Sequence, residues 1–406
     1  MRQNMKAIIS CAIALLASCS LALAQEKKET AKEAEYQFTT IKENPITSIK
    51  NQYRSGTCWC FSALSFIESE LLRTQNKTYD LSEMWVVGHA YSDRAKKYVR
   101  LDGKMGFSAG SGFGDVFTTI SRYGIVPESV YSGYNYGSEK PEQAELDAVL
   151  KAYVDAVLKA QSGRGNVLTT AWHKGLNAVI QAYMGDWTKE FKEGGKTVTP
   201  ETYRDEVLKF NADDYVNICS FSDQPWYKEC EIEVCDNWRG SKGYNVPSED
   251  MMKILYNAID KGYTALWGGD VSEKGFTRDG LGVILKPKKD EKKTGSDQEH
   301  WVGKDKDSDK KEVELTLPEE IDSVSDSLRL SAYDRKMTTD DHGMHIYGYA
   351  QDQNGTKYFM VKNSWGDSGK YKGIWYMSDT FIRYKTLNFV VNKEALPKDI
   401  RKKLGL

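Results

Sequence analysis

The chain has 406 residues, 40% of them hydrophobic and 28% charged, with a formal net charge of -2. That is enough chain to bury one large core or two smaller ones, and a balance so near neutral points away from a polyanionic partner such as nucleic acid.

Residues 1–24 read as an export leader. Arg2 and Lys6 form a short positive start, an apolar stretch follows from Ala7, and Ala22-Leu23-Ala24 precedes Gln25 as a small-x-small cleavage site. The sequence has no second long apolar run, so no permanent membrane span is expected. The expected location is periplasmic or extracellular, in a bacterial setting. A lipoprotein box at Leu16-Ala17-Ser18-Cys19 is the minor alternative and would place a lipid anchor on Cys19. The apolar run continues past that cysteine, which favours simple cleavage.

Beyond the leader remain Cys58, Cys60, Cys219, Cys230 and Cys235, an odd number that leaves at least one thiol unpaired. The spacing of Cys230 and Cys235 permits a disulfide without requiring one. No Cys-x-x-Cys pair exists and histidines are scarce, so a zinc site is not expected.

Residues 25–44 are assigned to an N-terminal tail, rich in Lys and Glu through 35 and extended from Tyr36. From Cys58 to Arg73, Phe61, Leu64, Ile67, Leu71 and Leu72 recur at three-to-four spacing and predict a helix. Further helices are predicted over 115–123, 140–160, 171–183, 199–210 and 250–261. Short aromatic and β-branched runs at 263–271, 343–350, 357–362, 373–378 and 387–392 predict an antiparallel sheet or small barrel. The mixed Lys/Asp stretch 286–320 reads as a flexible solvated loop. The layout is α+β. A helical lobe with a helical insertion spans 45–215, a β-rich lobe 216–395 and a C-terminal arm 396–406.

The most informative segment is Gln52-Tyr53-Arg54-Ser55-Gly56-Thr57-Cys58-Trp59. A thiol stands at the start of an apolar helix, where free amides and the macrodipole favour an anion, so a lowered thiol pKa is expected. Gln52 offers a side-chain amide that, with the Cys58 backbone N–H, can hold an oxyanion. For an isolated cysteine a buried structural role would be the simpler reading, and Cys60 fits that role.

A thiolate nucleophile needs a base. Of His89, His173, His300, His342 and His345, two lie in Asp341-His342-Gly343-Met344-His345. Three apart on a strand, these two face opposite sides. His342 opens the strand beside a glycine and is the candidate base; His345 is expected to be packed or solvated. Downstream, Asn363-Ser364-Trp365-Gly366 follows a strand. Asn363 can accept from the imidazole and fix its tautomer, and Trp365 can shield that bond from water.

These three segments resemble the papain superfamily of cysteine peptidases. The long separation of Cys58 from His342, Asp341-His342-Gly343-Met344, Tyr123-Gly124-Ile125-Val126-Pro127 and Val390-Val391-Asn392-Lys393 are similar to the bleomycin hydrolase and aminopeptidase C branch. The resemblance implies a two-lobe fold with the cleft between the lobes and no metal or organic cofactor. It makes Cys58 the nucleophile, His342 the acid/base, Asn363 its orienter and Gln52 part of the oxyanion hole. It places Gly110 and Ser111 on a glycine-rich wall that pairs with substrate backbone. It implies peptide substrates, an aminopeptidase mode and a homo-oligomer, hexamers being common in that branch.

Two rival readings are an endopeptidase with an open cleft and a peptide-binding protein that has lost catalysis. A Cys-His acyltransferase is a third, but it would normally pair its histidine with an aspartate. In the branch, the C-terminal arm reaches into the cleft and captures the substrate α-amino group. Here that arm is short and basic, ending Arg401-Lys402-Lys403-Leu404-Gly405-Leu406. The place of Leu406 relative to Cys58 therefore separates the two peptidase modes.

Overall fold

Helix α1 (Cys58–Gln75) buries every residue from Trp59 to Leu71, so it is a central helix rather than a surface one. A computed structural model of the protein describes residues 35–161, 167–286, 320–321 and 323–406. The expected leader, Cys19, His300 and nearly all of the charged stretch 286–320 lie outside them. Helix α2 (Glu83–Arg100) begins at Ser82, whose Oγ accepts from the Trp85 amide. It too is buried almost all round, with Glu83, Asp93 and Arg94 inside. It therefore shows no one-sided apolar stripe, and its sequence did not announce a helix. Helices α3 (Phe113–Tyr123), α4 (Ala144–Gln161) and α5 (Ala171–Met184) surround this pair. The outer two bury only one stripe each: Leu146, Leu150 and Val154 on α4, and Leu176, Ile180 and Met184 on α5.

The helix expected over 199–210 is broken. A capped turn, Pro200–Thr202, runs into a π-type turn, Tyr203–Leu208. The turn ends because Lys209 takes a left-handed conformation at φ 51° and Phe210 N donates to Arg204 O.

The second half is built on one ten-stranded sheet. Its strands are β1 (Thr39–Glu43), β4 (Tyr215–Cys219), β5 (Glu229–Glu231), β6 (Lys242–Asn245), β7 (Ala265–Gly269), β8 (Leu281–Gly282), β9 (His342–Gln351), β10 (Lys357–Lys362), β11 (Ile374–Ser378) and β12 (Thr386–Asn392). A separate hairpin joins β2 (Phe191–Glu193) to β3 (Lys196–Val198). The large sheet runs β5-β6-β4-β12-β7-β9-β10-β11-β8, and β1 also pairs with β9. Most pairs are antiparallel, as expected, but β4–β6 and β11–β8 are parallel. Strand β1 draws 39–43, part of the segment assigned as tail, into the sheet, where Thr39 pairs with Gln351 and Glu43 with Gly348.

Helices α6 (Ser248–Asp260), α7 (Asp326–Asp334), α8 (Asp379–Lys385) and α9 (Lys398–Leu404) complete the fold. One large core gathers apolar residues from Trp59 to Phe210, and a second gathers those from Val216 to Leu404. No helix of the described residues is long and apolar enough to cross a membrane.

A buried lysine joins two carboxylates where β7 and β12 meet. Lys385 is fully buried, with Nζ 2.5 Å from Glu273 Oε1, 3.4 Å from Asp270 Oδ2 and 2.6 Å from the Met337 carbonyl. Burial would raise the Asp270 carboxyl, but Lys385 and the Ser272 hydroxyl and amide outweigh it and hold it below the ordinary range. Lys385→Met strands that carboxylate and should cost about 3–5 kcal/mol in urea unfolding. Adding Asp270→Asn should recover part of the loss. A loss under 1 kcal/mol would contradict the pairing.

Candidate active site

The site forms where the start of α1 meets the start of β9. Gly56 lies on the approach to the helix, where a Cβ would meet Ala109 Cβ at 2.8 Å. The helix opens at Cys58, the half-buried first residue after Thr57. Strand β9 comes down on that point because Gly343 has no side chain: a Cβ there would meet Ser62 Oγ at 2.7 Å and the Phe113 ring at 3.0 Å. Gly343 and the preceding residue, His342, consequently line the same cleft as Cys58.

His342 is buried, and its Nε2 lies 2.8 Å from Asn363 Oδ1. Asn363 Oδ1 is acceptor-only and also takes the Ser364 amide at 2.8 Å, so Nε2 carries the proton. The other nitrogen, Nδ1, is then the lone-pair nitrogen of the neutral ring. Trp365 lies over the imidazole, ring centroids 4.9 Å apart at 33°, and is itself held edge-on by Phe276 and Trp375.

The Gln52 loop is tied to the Asn363 loop across the cleft floor. Gln52 N donates to Ser364 O at 2.8 Å, Ser364 Oγ donates to Gln52 Oε1 at 2.6 Å, and Gly366 N donates to Lys50 O at 3.0 Å. Gln52 Nε2 gives one hydrogen to the Ser55 carbonyl at 2.9 Å. Its amide has a second, on a side chain that lines the cleft.

Cys58, His342, Gln52, Trp365, Gly110 and Ser111 all line one cavity of about 380 Å³. The structure thus brings together the sequence-derived candidates, and Asn363 stands directly behind His342. Cys60 is fully buried with its sulfur 3.4 Å from the Glu83 carbonyl. His345 is buried on the opposite face of β9, with Nδ1 2.9 Å from Ser65 Oγ. Gly110 and Ser111, expected on a wall that pairs with substrate backbone, stand beside Trp238 and Asp236. Ser111 Oγ turns inward, donating to Asp115 and accepting from Trp238 Nε1 at 2.7 Å. Asp236 closes over Gly110, its Oδ2 1.9 Å from where a Cβ would stand.

The electrostatics correct one expectation. The pull of the helix start on the Cys58 thiol is outweighed. Withdrawal of the sulfur from water pushes it up to about 11, Asp340 and Asp236 add to the rise, and the Gly343 and Trp59 amides only partly offset it. The same desolvation takes His342 down to about 4, against the opposing Asn363 bond. The resting pair is therefore a neutral thiol beside a neutral imidazole, and the proton moves when the sulfur attacks.

Sequence reasoning missed the carboxylates. Asp236 and Asp340 both line the cavity. Loss of water, then Asp236 and Asp341, push Asp340 up to about 7; desolvation also raises Asp236, against Arg94 and Ser108. A carboxylate two residues before the candidate histidine was a usable signal for Asp340. Nothing in the sequence between β5 and β6 marks Asp236 as a cleft residue.

Two family models match the chain. The papain family cysteine protease model covers residues 34–203, and the peptidase C1-like family model covers 310–405. The chain belongs to the papain superfamily of cysteine peptidases. Within it, the chain falls in the aminopeptidase C branch. It is 24% identical over 395 residues to aminopeptidase C of Lactobacillus delbrueckii subsp. lactis, which covers 87% of this chain and 81% of the relative. It is 21% identical over 411 residues to the mitochondrial cysteine proteinase 1 of Saccharomyces cerevisiae, covering 90% and 79%. The fold is similar to the crystal structure of PepW from Lactobacillus rhamnosis, with a TM-score of 0.65 at 17% identity over 90% of this chain and 84% of that one.

In this cysteine peptidase the chain end lies elsewhere than the resemblance implied. Helix α9 buries Ile400 and Leu404 in the second core, Leu406 packs on the same core, and Lys403 Nζ is 3.1 Å from Tyr227 Oη. Leu406 is not among the residues lining the cavity.

Proposed function

We propose that the protein is an aminopeptidase in which Cys58 attacks the peptide carbonyl carbon. His342 Nδ1 takes the thiol proton and returns it to the leaving amine. Asn363 holds the ring in the tautomer that leaves Nδ1 free. The free hydrogen of Gln52 Nε2 and the Cys58 amide receive the oxyanion. The observation that carries this reading is that Cys58 and His342 line one cavity while His342 is held by a 2.8 Å bond to Asn363.

The aminopeptidase mode is supported by the names of the relatives and by the cleft's charge. With Leu406 outside the cavity lining, the carboxylates there are Asp236, Asp340 and Asp341, and the first two are the pair proposed to receive a substrate α-ammonium group. A cation between them would relieve the mutual repulsion that raises Asp340.

The test is a pair of fluorogenic aminoacyl amides, each a single amino acid joined to the fluorophore, one with a free amine and one N-acetylated. The free amine should be cleaved and the blocked form should not. Asp340→Asn should raise KM for the free amine about tenfold, the worth of one charge-assisted hydrogen bond. Equal cleavage of both substrates would instead establish an endopeptidase, the reading favoured by the place of Leu406 outside the cavity lining. The leader motif supports export, and fractionation of cells expressing the full chain would test it.

A further inference from the structure

Cys219 ends β4 and Cys230 is the middle residue of β5, two strands separated by β6. Cys230 pairs with Gly243 of β6, and Cys219 pairs with Asn245. Gly243 has no side chain to part them: a Cβ there would lie 3.1 Å from Cys219 Sγ. The two sulfurs meet 3.5 Å apart, with both residues buried beside Phe221, Ile232 and Leu387. A disulfide bond is about 2.05 Å long, so the sulfurs must close by about 1.5 Å, and because β6 lies between the two strands the short edge strand β5 must shift toward β4 as they do.

We propose that Cys219 and Cys230 form an intramolecular disulfide above Gly243, and that this crosslink anchors one wall of the cleft. Neither thiol takes part in peptide hydrolysis, so the inference stands apart from the catalytic reading. Access comes through β5, a three-residue edge strand that pairs only with β6 and exposes Glu229 and Glu231 on either side of Cys230. Edge strands of this length open locally at little cost.

The chemistry is thiol–disulfide exchange with a small disulfide of the cystine or glutathione type. The Cys230 thiolate attacks one external sulfur, forms a mixed disulfide and releases one small thiol. Cys219 then loses its proton, attacks the Cys230 sulfur and expels the second small thiol. Two protein thiols are oxidised and one external disulfide is reduced.

The consequence reaches the site because the chain between β5 and β6 supplies Ile232, Val234, Asp236, Asn237 and Ser241 to the cavity. The crosslink would fix the near end of that segment to β4.

The test uses the full chain with Cys58→Ser, which removes the reactive active-site thiol. The protein is incubated with oxidised glutathione, alkylated, and digested with trypsin. Cleavage after Lys228 parts Cys219 from Cys230 but leaves Cys230 and Cys235 on one peptide, 229–239. The expected product joins peptide 210–228 to peptide 229–239, with fragmentation placing the link on Cys230 and dithiothreitol splitting it. Reduction should lower Tm by roughly 3–5 °C, and should not do so in the variant that also carries Cys219→Ala. Alkylation of Cys219 throughout, a link within 229–239, or glutathione adducts alone would overturn the proposal. A crosslink whose reduction leaves Tm unchanged would overturn the anchoring.

Discussion

Cys58→Ala should lower kcat/KM for a free-amine aminoacyl amide by roughly 10⁵-fold or more, the loss seen when a covalent nucleophile is removed from a site acting as a unit. The fold should survive it. Cys58 is half-buried at the mouth of α1, and the helix is held by the residues from Trp59 to Leu71, all of them buried. Thermal unfolding should shift by no more than a few degrees. Cys60→Ala is the informative contrast, because that sulfur is fully buried against the Glu83 carbonyl. It should cost roughly 1–2 kcal/mol of stability and leave kcat within a few-fold. Full hydrolysis by Cys58→Ala would end the covalent mechanism, and a peptide-binding role would survive only if the wild type also fails to turn over.

His342→Ala should cost about 10⁴-fold or more in kcat, and the pH profile of the wild type should show why. Below about 4, His342 is protonated and cannot accept the thiol proton. Above about 11, the sulfur is ionised and the pair has no proton to give the leaving amine. Between these limits the pair carries one proton, whichever group holds it, so kcat/KM should form a broad plateau centred near neutral pH. A buried pair gives a wider plateau than one open to water, where the ordinary values of the two groups would apply. A narrow bell falling from about pH 8 would show that the thiol ionises as if solvated, against the burial seen here. The alanine variant should lose the acid limb with the imidazole. An unchanged profile at reduced rate would assign the base to another group.

The parts of this molecule that were legible in the sequence are those where one local rule decides. The expected strand 357–362 is β10 to the residue, because its short continuous apolar run, Tyr358 to Val361, is bounded by Lys357 and Lys362. The helix expected from Cys58 begins there, and His342 opens β9 as its position before Gly343 implied. Helix α2 was invisible for the opposite reason: with Glu83, Asp93 and Arg94 buried beside Trp85 and Val86, it has no polar face to set its period. The short strands β4, β5 and β6 were also missed, being three to five residues long and held by partners far along the chain.

At the site, the Cys–His–Asn constellation could be read because residue type carries its chemistry. Its electrostatics could not. A helix start favours the thiolate, but desolvation of the sulfur, together with the negative charges of Asp340 and Asp236, outweighs it. Only the tertiary structure brings those groups together. The cover of Gly110 by Asp236 is of the same kind, since 126 positions separate the two residues and no periodicity links them.

The most direct test of the mechanism is to trap the acyl-enzyme. The wild-type protein is mixed with a free-amine amino-acid p-nitrophenyl ester, quenched in acid within the first turnover, digested and mapped by fragmentation. The expected result is a burst of nitrophenol equal to the enzyme concentration and an aminoacyl thioester on Cys58, within the tryptic peptide 55–73. An adduct on Cys60 or on any hydroxyl, or turnover with no covalent species, would contradict it.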